Sequence, residues 1–189
     1  MAHVWTSMLV DQLDFYMAAH LFPRLAGLTD DEFRWEPTAG CWSVRPDPAG
    51  GWMVEEGPDD GREHVTTIAW RLAHLAVGNL GTRSLCFFGP DSPDGTDMFD
   101  PRYQPPVPGT AEAAVSLLEE TYTRWRDGIS GLDDARLAAP VGPRGGPFRD
   151  SPMGALVLHV SRETMHHGGE IGVLRDLYRE QLVTGPARG

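Results

Sequence analysis

An apolar stripe with the period of an α-helix, near the end of the chain, constrains its fold more than any other feature. Leu156, Val160, Ile171 and Leu174 are separated by sums of three- and four-residue steps. This spacing places them on one face of a helix, since an α-helix turns once in about 3.6 residues. A helix with such a face must bury it, so the chain needs other elements that pack against this one.

Three earlier segments carry the same period and supply those elements. The first predicted helix ends at Gly27, the second runs from about Val65 to Cys86, and the third opens at Thr110. The last helix has the clearest start, with Ser151 as N-cap and Pro152 at the first helical position. We therefore expect an all-α protein, a four-helix bundle in which the last helix extends to about Leu182.

Two long segments rich in proline and glycine, residues 36–63 and 89–109, separate the first three helices. A loop of this length in a compact domain is usually functional. Four apolar residues of the first segment predict a small hairpin or a packed loop: Trp42, Val44, Trp52 and Val54. The sequence thus predicts one domain over residues 1–189, with these segments as loop insertions that cross over one end of the bundle.

The charge of the chain limits its partners. Its formal net charge is -11, and its isoelectric point is about 4.9. An acidic protein repels nucleic-acid phosphates and anionic membranes, so we expect neither as a partner. No apolar run approaches the roughly 20 residues that span a bilayer, and no signal peptide is recognisable. These features predict a cytoplasmic protein that acts on a small molecule, and a homodimer is compatible with them.

The residue types present also restrict the chemistry. The chain contains no lysine, which excludes a Schiff-base lysine and a P-loop lysine. It has two cysteines, too few for a disulfide framework. Cys86 lies in an apolar segment and is interpreted as a buried small hydrophobe. Cys41 lies in a glycine-rich segment where an exposed thiol is an alternative, although no acid or histidine stands near it in the sequence.

Glu163 and His167 lie within the apolar stripe of the last helix. At about 100° per residue they fall about 20° to either side of Leu156. Burying a carboxylate costs several kcal/mol unless it is paired or coordinates a metal. Two interpretations are therefore open: a Glu–His hydrogen bond in the core, or two ligands of a metal site.

A third ligand would have to come from another helix. His159, Glu163 and His167 form an i, i+4, i+8 series that spans about 12 Å of helix axis, too long for one ion. His74, on the second predicted helix, is the natural candidate. A histidine among leucines and alanines is also a common core residue, so this alternative stays open.

Three short motifs resemble the DinB/YfiT-like metalloprotein superfamily. They are AHL on the second helix, TAGCWSVR before it and HVSRETMHHGGEIGVLRDLY on the last helix. Members typically carry a His on helix two and an HxxxH pair on helix four that ends in HHxGQ or HHxGE. Here Glu163 stands at the first His of that pair and His167 at the second. This pattern is similar to the branch that contains mycothiol-dependent maleylpyruvate isomerase.

The resemblance implies a metal site with His74, Glu163 and His167 as ligands. It implies a supporting or structural role for His166. Glu170 would orient a ligand or a bound water, with a solvated helix residue as the alternative. Two His and one Glu with an open position are typical of catalytic zinc. The favoured cofactor is therefore Zn²⁺, with Ni²⁺ and Fe²⁺ as alternatives.

The resemblance favours an enzyme in which the metal activates a low-molecular-weight thiol, such as mycothiol or bacillithiol, for transfer to or isomerisation of a small electrophile. Three alternatives remain: a hydrolase with a metal-activated water, a non-haem iron enzyme with a two-His, one-carboxylate triad, and a metal-binding protein without turnover. Three arginines near the site in sequence are candidate carboxylate receptors or ordinary surface residues: Arg71, Arg162 and Arg175.

Overall fold

The four predicted helices form the framework of the protein. A computed structural model describes residues 4–56, 64–90 and 96–184, and these residues form an all-α bundle with one two-stranded hairpin. Helix α1 comprises Val4–Tyr16, a π-helical segment at Met17–Leu21 and a last turn at Phe22–Leu25. Gly27 follows with φ of 70°, a conformation that glycine adopts without steric cost, so it ends the helix as predicted.

A short helix and a hairpin follow α1. Helix α2, Asp30–Arg34, is capped by Thr29, whose hydroxyl accepts a hydrogen bond from the Glu32 amide at 3.2 Å. Strands β1, Val44–Pro46, and β2, Trp52–Val54, pair antiparallel. This pairing confirms the hairpin predicted for the first long segment.

The second predicted helix is present but is not a regular α-helix. Helix α3 consists of Ile68–Ala73, a π-helical segment at His74–Asn79 and Gly81–Phe88. Thr67 caps it by accepting a hydrogen bond from the Trp70 amide at 3.2 Å. The π-helical segment widens the helix by hydrogen bonds over five residues instead of four, a feature often found at functional sites.

Helix α4, Ala111–Ser130, opens after Thr110 as predicted, and the Thr110 hydroxyl caps it by accepting a hydrogen bond from the Ala113 amide at 3.2 Å. The next region, residues 131–150, contains helix α5, Asp134–Ala138, and a 3-10 segment at Pro143–Phe148. These elements are too short for a helical period to be recognised in the sequence.

Helix α6, Met153–Thr184, is the longest element and carries the predicted apolar stripe. Leu156, Val160 and Ile171 on this stripe are fully buried. The helix begins one residue later than predicted, because Pro152 forms an isolated bridge with Pro140 instead of opening the first turn.

The first long segment packs against the start of α3. Trp42 forms a bridge with Thr66, and the Trp70 indole donates a hydrogen bond to the Glu55 carbonyl at 3.0 Å. Parts of both predicted insertions, residues 57–63 and 91–95, lie outside the described residues. Within the described part, no helix is both long and apolar enough to cross a membrane.

Candidate metal centre

Helices α3 and α6 bring three potential metal ligands together. His74 lies at the first position of the π-helical segment in α3, while Glu163 and His167 lie one turn apart on α6. One ligand atom from each residue lies within 4.8 Å of the other two. The predicted convergence of the three side chains is therefore present, although their role as ligands stays a prediction.

The spacing of these atoms fits a divalent ion. Bonds of about 2.0–2.2 Å in tetrahedral geometry would place neighbouring ligand atoms about 3.4 Å apart. The His167 Nε2 atom lies 3.6 Å from the Glu163 Oε2 atom. Nitrogen and carboxylate oxygen are also the donor atoms that zinc accepts. The residues present thus suit such an ion without a large rearrangement.

His74 is held in a mostly apolar environment that keeps it neutral. Its ring stacks on Trp70 with centroids 5.3 Å apart and an interplanar angle of 4°. The ring of His167 meets it edge-on at 4.5 Å. Burial, followed by the positive charge that His167 can carry, lowers the pKa of His74 to about 4. At neutral pH its imidazole therefore keeps a lone pair available for a metal.

The opposite edge of the His167 ring is fixed by two charged residues. Its Nδ1 atom lies 2.7 Å from the Glu170 carboxylate. The Arg71 guanidinium contacts both this Nδ1 atom and the carboxylate. Arg71 Nη1, which can only donate, lies 2.8 Å from the same Nδ1 atom, so these contacts fit either tautomer of the His167 ring. A metal bound at Nε2 would require the tautomer in which Nδ1–H donates to Glu170 and Arg71 pairs with the carboxylate. The contact fits the predicted orienting role of Glu170.

His166 lies on the outer side of α6. Its side chain is 63% exposed, and its Nε2 atom lies 3.4 Å from Glu170. His166, His167 and Glu170 form a second group of close donor atoms, but Arg71 already occupies the Glu170 carboxylate. A second cation is disfavoured beside that guanidinium. The supporting role predicted for His166 stays a prediction.

The remaining residues singled out from the sequence take different positions. His159 lies with its Nδ1 atom 3.8 Å from Glu163, and Arg162 lies beside both with its side chain 70% exposed. Arg175 is neither a surface residue nor part of the site. It is buried in an ion pair with Glu32, so both interpretations of Arg175 were wrong.

A cavity of about 410 Å³ opens beside the three candidate ligands. Its size falls within the range of small-molecule sites. His74 and Glu163 form part of its wall. Arg83 and Asn79, which sequence reasoning did not single out, also line it. Both residues lie at or after the π-helical segment, where a regular 3.6-residue period assigns helix faces incorrectly.

The two cysteines lie away from this cavity's wall and are both buried. The Cys41 thiol donates to the Thr38 carbonyl at 2.9 Å, which excludes the exposed alternative considered for it. Burial raises the pKa of the Cys86 thiol to about 11, so it is protonated at neutral pH, as expected for a small hydrophobe.

The fold and the cluster together define a helical bundle with a candidate His/Glu/His metal site. A family model of the DinB superfamily matches residues 16–171, and the chain belongs to this superfamily. The superfamily is metal-binding, and the three-residue cluster is the candidate site in this member. No curated protein and no solved structure matches the chain. The similarity to the mycothiol-dependent isomerase branch stays a prediction.

Proposed function

We propose that the protein is a metal-dependent enzyme, with zinc as the preferred ion, that activates a low-molecular-weight thiol for transfer to or isomerisation of a small electrophile. The observation that carries this proposal is the cavity beside His74 and Glu163, which gives a small molecule access to the candidate centre. Two His and one Glu with an open position are typical of catalytic rather than structural zinc sites. When bound, such an ion keeps a coordinated thiol deprotonated at neutral pH.

The acidic residues around the centre favour thiol chemistry over hydrolysis. Attack by water is helped by a nearby base that accepts its proton. Among the described residues that line the cavity, the carboxylates are Glu163, a candidate ligand, and Asp100, which is held by Arg102. Glu170 lies on the other edge of the His167 ring and is engaged there. A thiolate nucleophile requires no such base.

His159 is also poorly suited to act as a base. Its Nδ1 atom lies 2.7 Å from Arg162 and its Nε2 atom 3.5 Å from Arg83, and both partners are donors only. Burial and then the charge of Arg83 lower the pKa of His159. An imidazole between two guanidinium groups accepts a further proton only at a cost, which supports the thiol-dependent reaction.

Cobalt substitution tests the proposal. We expect 2-mercaptoethanol to add a sulfur-to-cobalt absorption band in the near ultraviolet, and turnover of an electrophile to require a thiol. Spectra recorded with and without added thiol separate the band from any contribution of Cys41 or Cys86. His167→Ala is the control, because it should lose stoichiometric cobalt and with it the band.

Two results would replace the proposal. If thiols leave the cobalt spectrum unchanged and esters or amides are cleaved without thiol, the protein is a hydrolase. If the purified protein contains stoichiometric iron and consumes oxygen, the centre is the non-haem iron alternative.

A further inference from the structure

The cavity beside the candidate metal centre contains a guanidinium that is firmly held in place. Arg83 lies on α3 and lines the same cavity as His74 and Glu163. Its Nη1 atom donates to the carbonyls of Gly78 and Asn79 at 2.8 and 3.0 Å. These carbonyls belong to the π-helical segment, so the widened helix itself anchors the arginine head.

Among the described residues, Arg83 has no carboxylate partner, although its side chain is partly buried. Within residues 4–56, 64–90 and 96–184 it forms no ion pair, and its Nε atom is buried without a hydrogen bond. Burial lowers its pKa, and the charge of Glu163 opposes this effect. Arginine nevertheless stays charged in proteins. A buried charge without a partner is costly, which makes this position suited to an anionic ligand.

The other charges around the cavity do not neutralise the positive charge of Arg83. Glu163 would direct its negative charge to the metal. Asp100 accepts two hydrogen bonds from Arg102, from Nε at 2.8 Å and Nη2 at 2.7 Å, so its charge is balanced at the rim. Arg83 is thus the one arginine that faces the cavity among its described lining residues. This positive site contrasts with the net charge of -11 of the whole chain.

We propose that Arg83 is the receptor for a carboxylate group of the ligand, so that the cavity accepts a small carboxylic acid whose other end reaches the metal centre. The inference rests on the proposed function only in taking this cavity as the substrate site. Because Nη1 donates to two carbonyls and Nε is buried, Nη2 is the nitrogen left to donate to the ligand, and it now lies 3.5 Å from the His159 Nε2 atom. A hydrogen bond between this charged group and a carboxylate is stronger than one between neutral groups.

Pairs of probes that differ only in charge test the proposal. The cobalt-substituted protein is titrated with mercaptoacetate, 3-mercaptopropionate and 4-mercaptobutyrate, and with the neutral amide of each. The series varies the number of carbons between the thiol and the carboxylate. We expect at least one acid to bind about 10-fold or more tightly than its amide, as measured by calorimetry and by the cobalt spectrum.

Two variants assign this preference to Arg83. Arg83→Gln should reduce the preference of acid over amide to about 2-fold or less, and Arg83→Lys should retain part of it because the charge remains. Arg162→Gln is the matched control, since it removes an equal charge near the same site from an exposed side chain. It should keep the preference. Circular dichroism confirms that each variant is folded.

A second set of titrations determines whether the carboxylate belongs to the thiol or to the electrophile. Succinate and fumarate, which have no thiol, are titrated with and without saturating 2-mercaptoethanol. An acid that binds together with the neutral thiol places the carboxylate on the electrophile. Binding only of the mercapto acids places it on the thiol. Either result supports the receptor role of Arg83, provided that the binding of the acid is lost in Arg83→Gln.

Three results would overturn the proposal: equal binding of every acid and its amide by the unmodified protein, an unchanged preference in Arg83→Gln, or an equal loss in Arg162→Gln. The comparison of acids with their amides uses the unmodified protein, so it tests the proposal even if Arg83→Gln does not fold. A failure of the proposed function gives a different result, namely that no thiol produces a cobalt–sulfur band. In that case, calorimetry with succinate still measures whether Arg83 binds a carboxylate.

Discussion

The two ring nitrogens of His167 have different partners, and this division organises the candidate centre at the scale of single residues. The Nε2 atom faces Glu163 at 3.6 Å, where a metal would lie. The Nδ1 atom faces Glu170 at 2.7 Å, and Arg71 holds that carboxylate in turn. Carboxylates that orient a ligating histidine in this way also strengthen it as a ligand.

Glu163→Gln tests the carboxylate as a ligand. The amide has nearly the same shape but no negative charge, so we expect metal affinity to fall about 10-fold or more while the bundle stays folded. Metal titration calorimetry and circular dichroism measure the two quantities. Unchanged affinity would show that Glu163 is only a hydrogen-bond partner of His167.

Glu170→Gln tests the residue that orients His167. The variant weakens the contact with Nδ1 and leaves Arg71 without its carboxylate, so we expect metal affinity to fall about 10-fold. Glu120→Gln is the control, because it makes the same chemical change in an exposed pair with Arg124. If both variants bind the metal as tightly as the original protein, Glu170 has no orienting role.

The neutral state of His74 gives a prediction for pH. Its pKa of about 4 in the folded protein lies below the ordinary value of 6.5. As pH falls from 6.5 to 4, the unfolded chain binds a proton at this position and the folded chain does not, so the free energy of unfolding of the metal-free protein decreases. NMR titration of the imidazole should give the low pKa, and His74→Gln should reduce the slope of stability with pH. An ordinary pKa in the metal-free protein would contradict the burial argument.

At the scale of elements, the site depends on how closely α1 can approach α6. Gly168 follows His167 directly, and the Tyr16 hydroxyl of α1 lies where a β-carbon at Gly168 would be placed. The same hydroxyl donates to the Met165 carbonyl at 3.1 Å. The absence of a side chain at Gly168 therefore allows the two helices to pack beside the metal centre.

Gly168→Ala should separate these helices. Because the added methyl group meets the Tyr16 ring, we expect a loss of about 1–3 kcal/mol in the free energy of unfolding. Gly169→Ala is the matched control on the same helix. Nothing lies within 4 Å of a β-carbon there, so alanine should be neutral or stabilising by up to about 1 kcal/mol. Urea unfolding measures both, and similar values for the two variants would show that the close contact is unimportant.

At the scale of the whole molecule, a buried ion pair ties the last helix to the first two. Arg175 on α6 donates to both carboxylate oxygens of Glu32 on α2, at 2.7 and 2.8 Å. It also donates to the carbonyls of Arg24 and Ala26 at the end of α1. One guanidinium thus satisfies the terminal carbonyls of one helix and the charge of another.

Glu32→Gln should destabilise the whole bundle. Removing one partner leaves the Arg175 charge buried without compensation, which costs about 3–5 kcal/mol. Asp176→Asn is the control, because it disrupts the exposed ion pair with Arg24 and should cost no more than about 1 kcal/mol. Urea unfolding followed by circular dichroism compares them. Equal losses would mean that the buried pair contributes no more than the exposed one.

Features that depend on neighbouring residues were predictable from the sequence alone. Helical spacing predicted the buried stripe of α6, and with it the shared face of Glu163 and His167. The opening of α4 at Thr110 and the end of α1 at Gly27 followed from the local preferences of these residue types. The assignment of His74 needed more, namely the resemblance to a metalloprotein superfamily, because nothing in its own segment distinguishes a ligand from a core histidine.

Contacts between distant residues could not be predicted and are seen in the folded protein alone. Arg175 was expected at the surface or the site, but a carboxylate 143 residues earlier in the chain allows its burial. Arg83 reaches the cavity because the π-helical segment after His74 changes the direction in which later side chains point. A charge can be buried only where its partner is, and the partner's position depends on the packing of the whole bundle. Local spacing along the sequence does not contain that information.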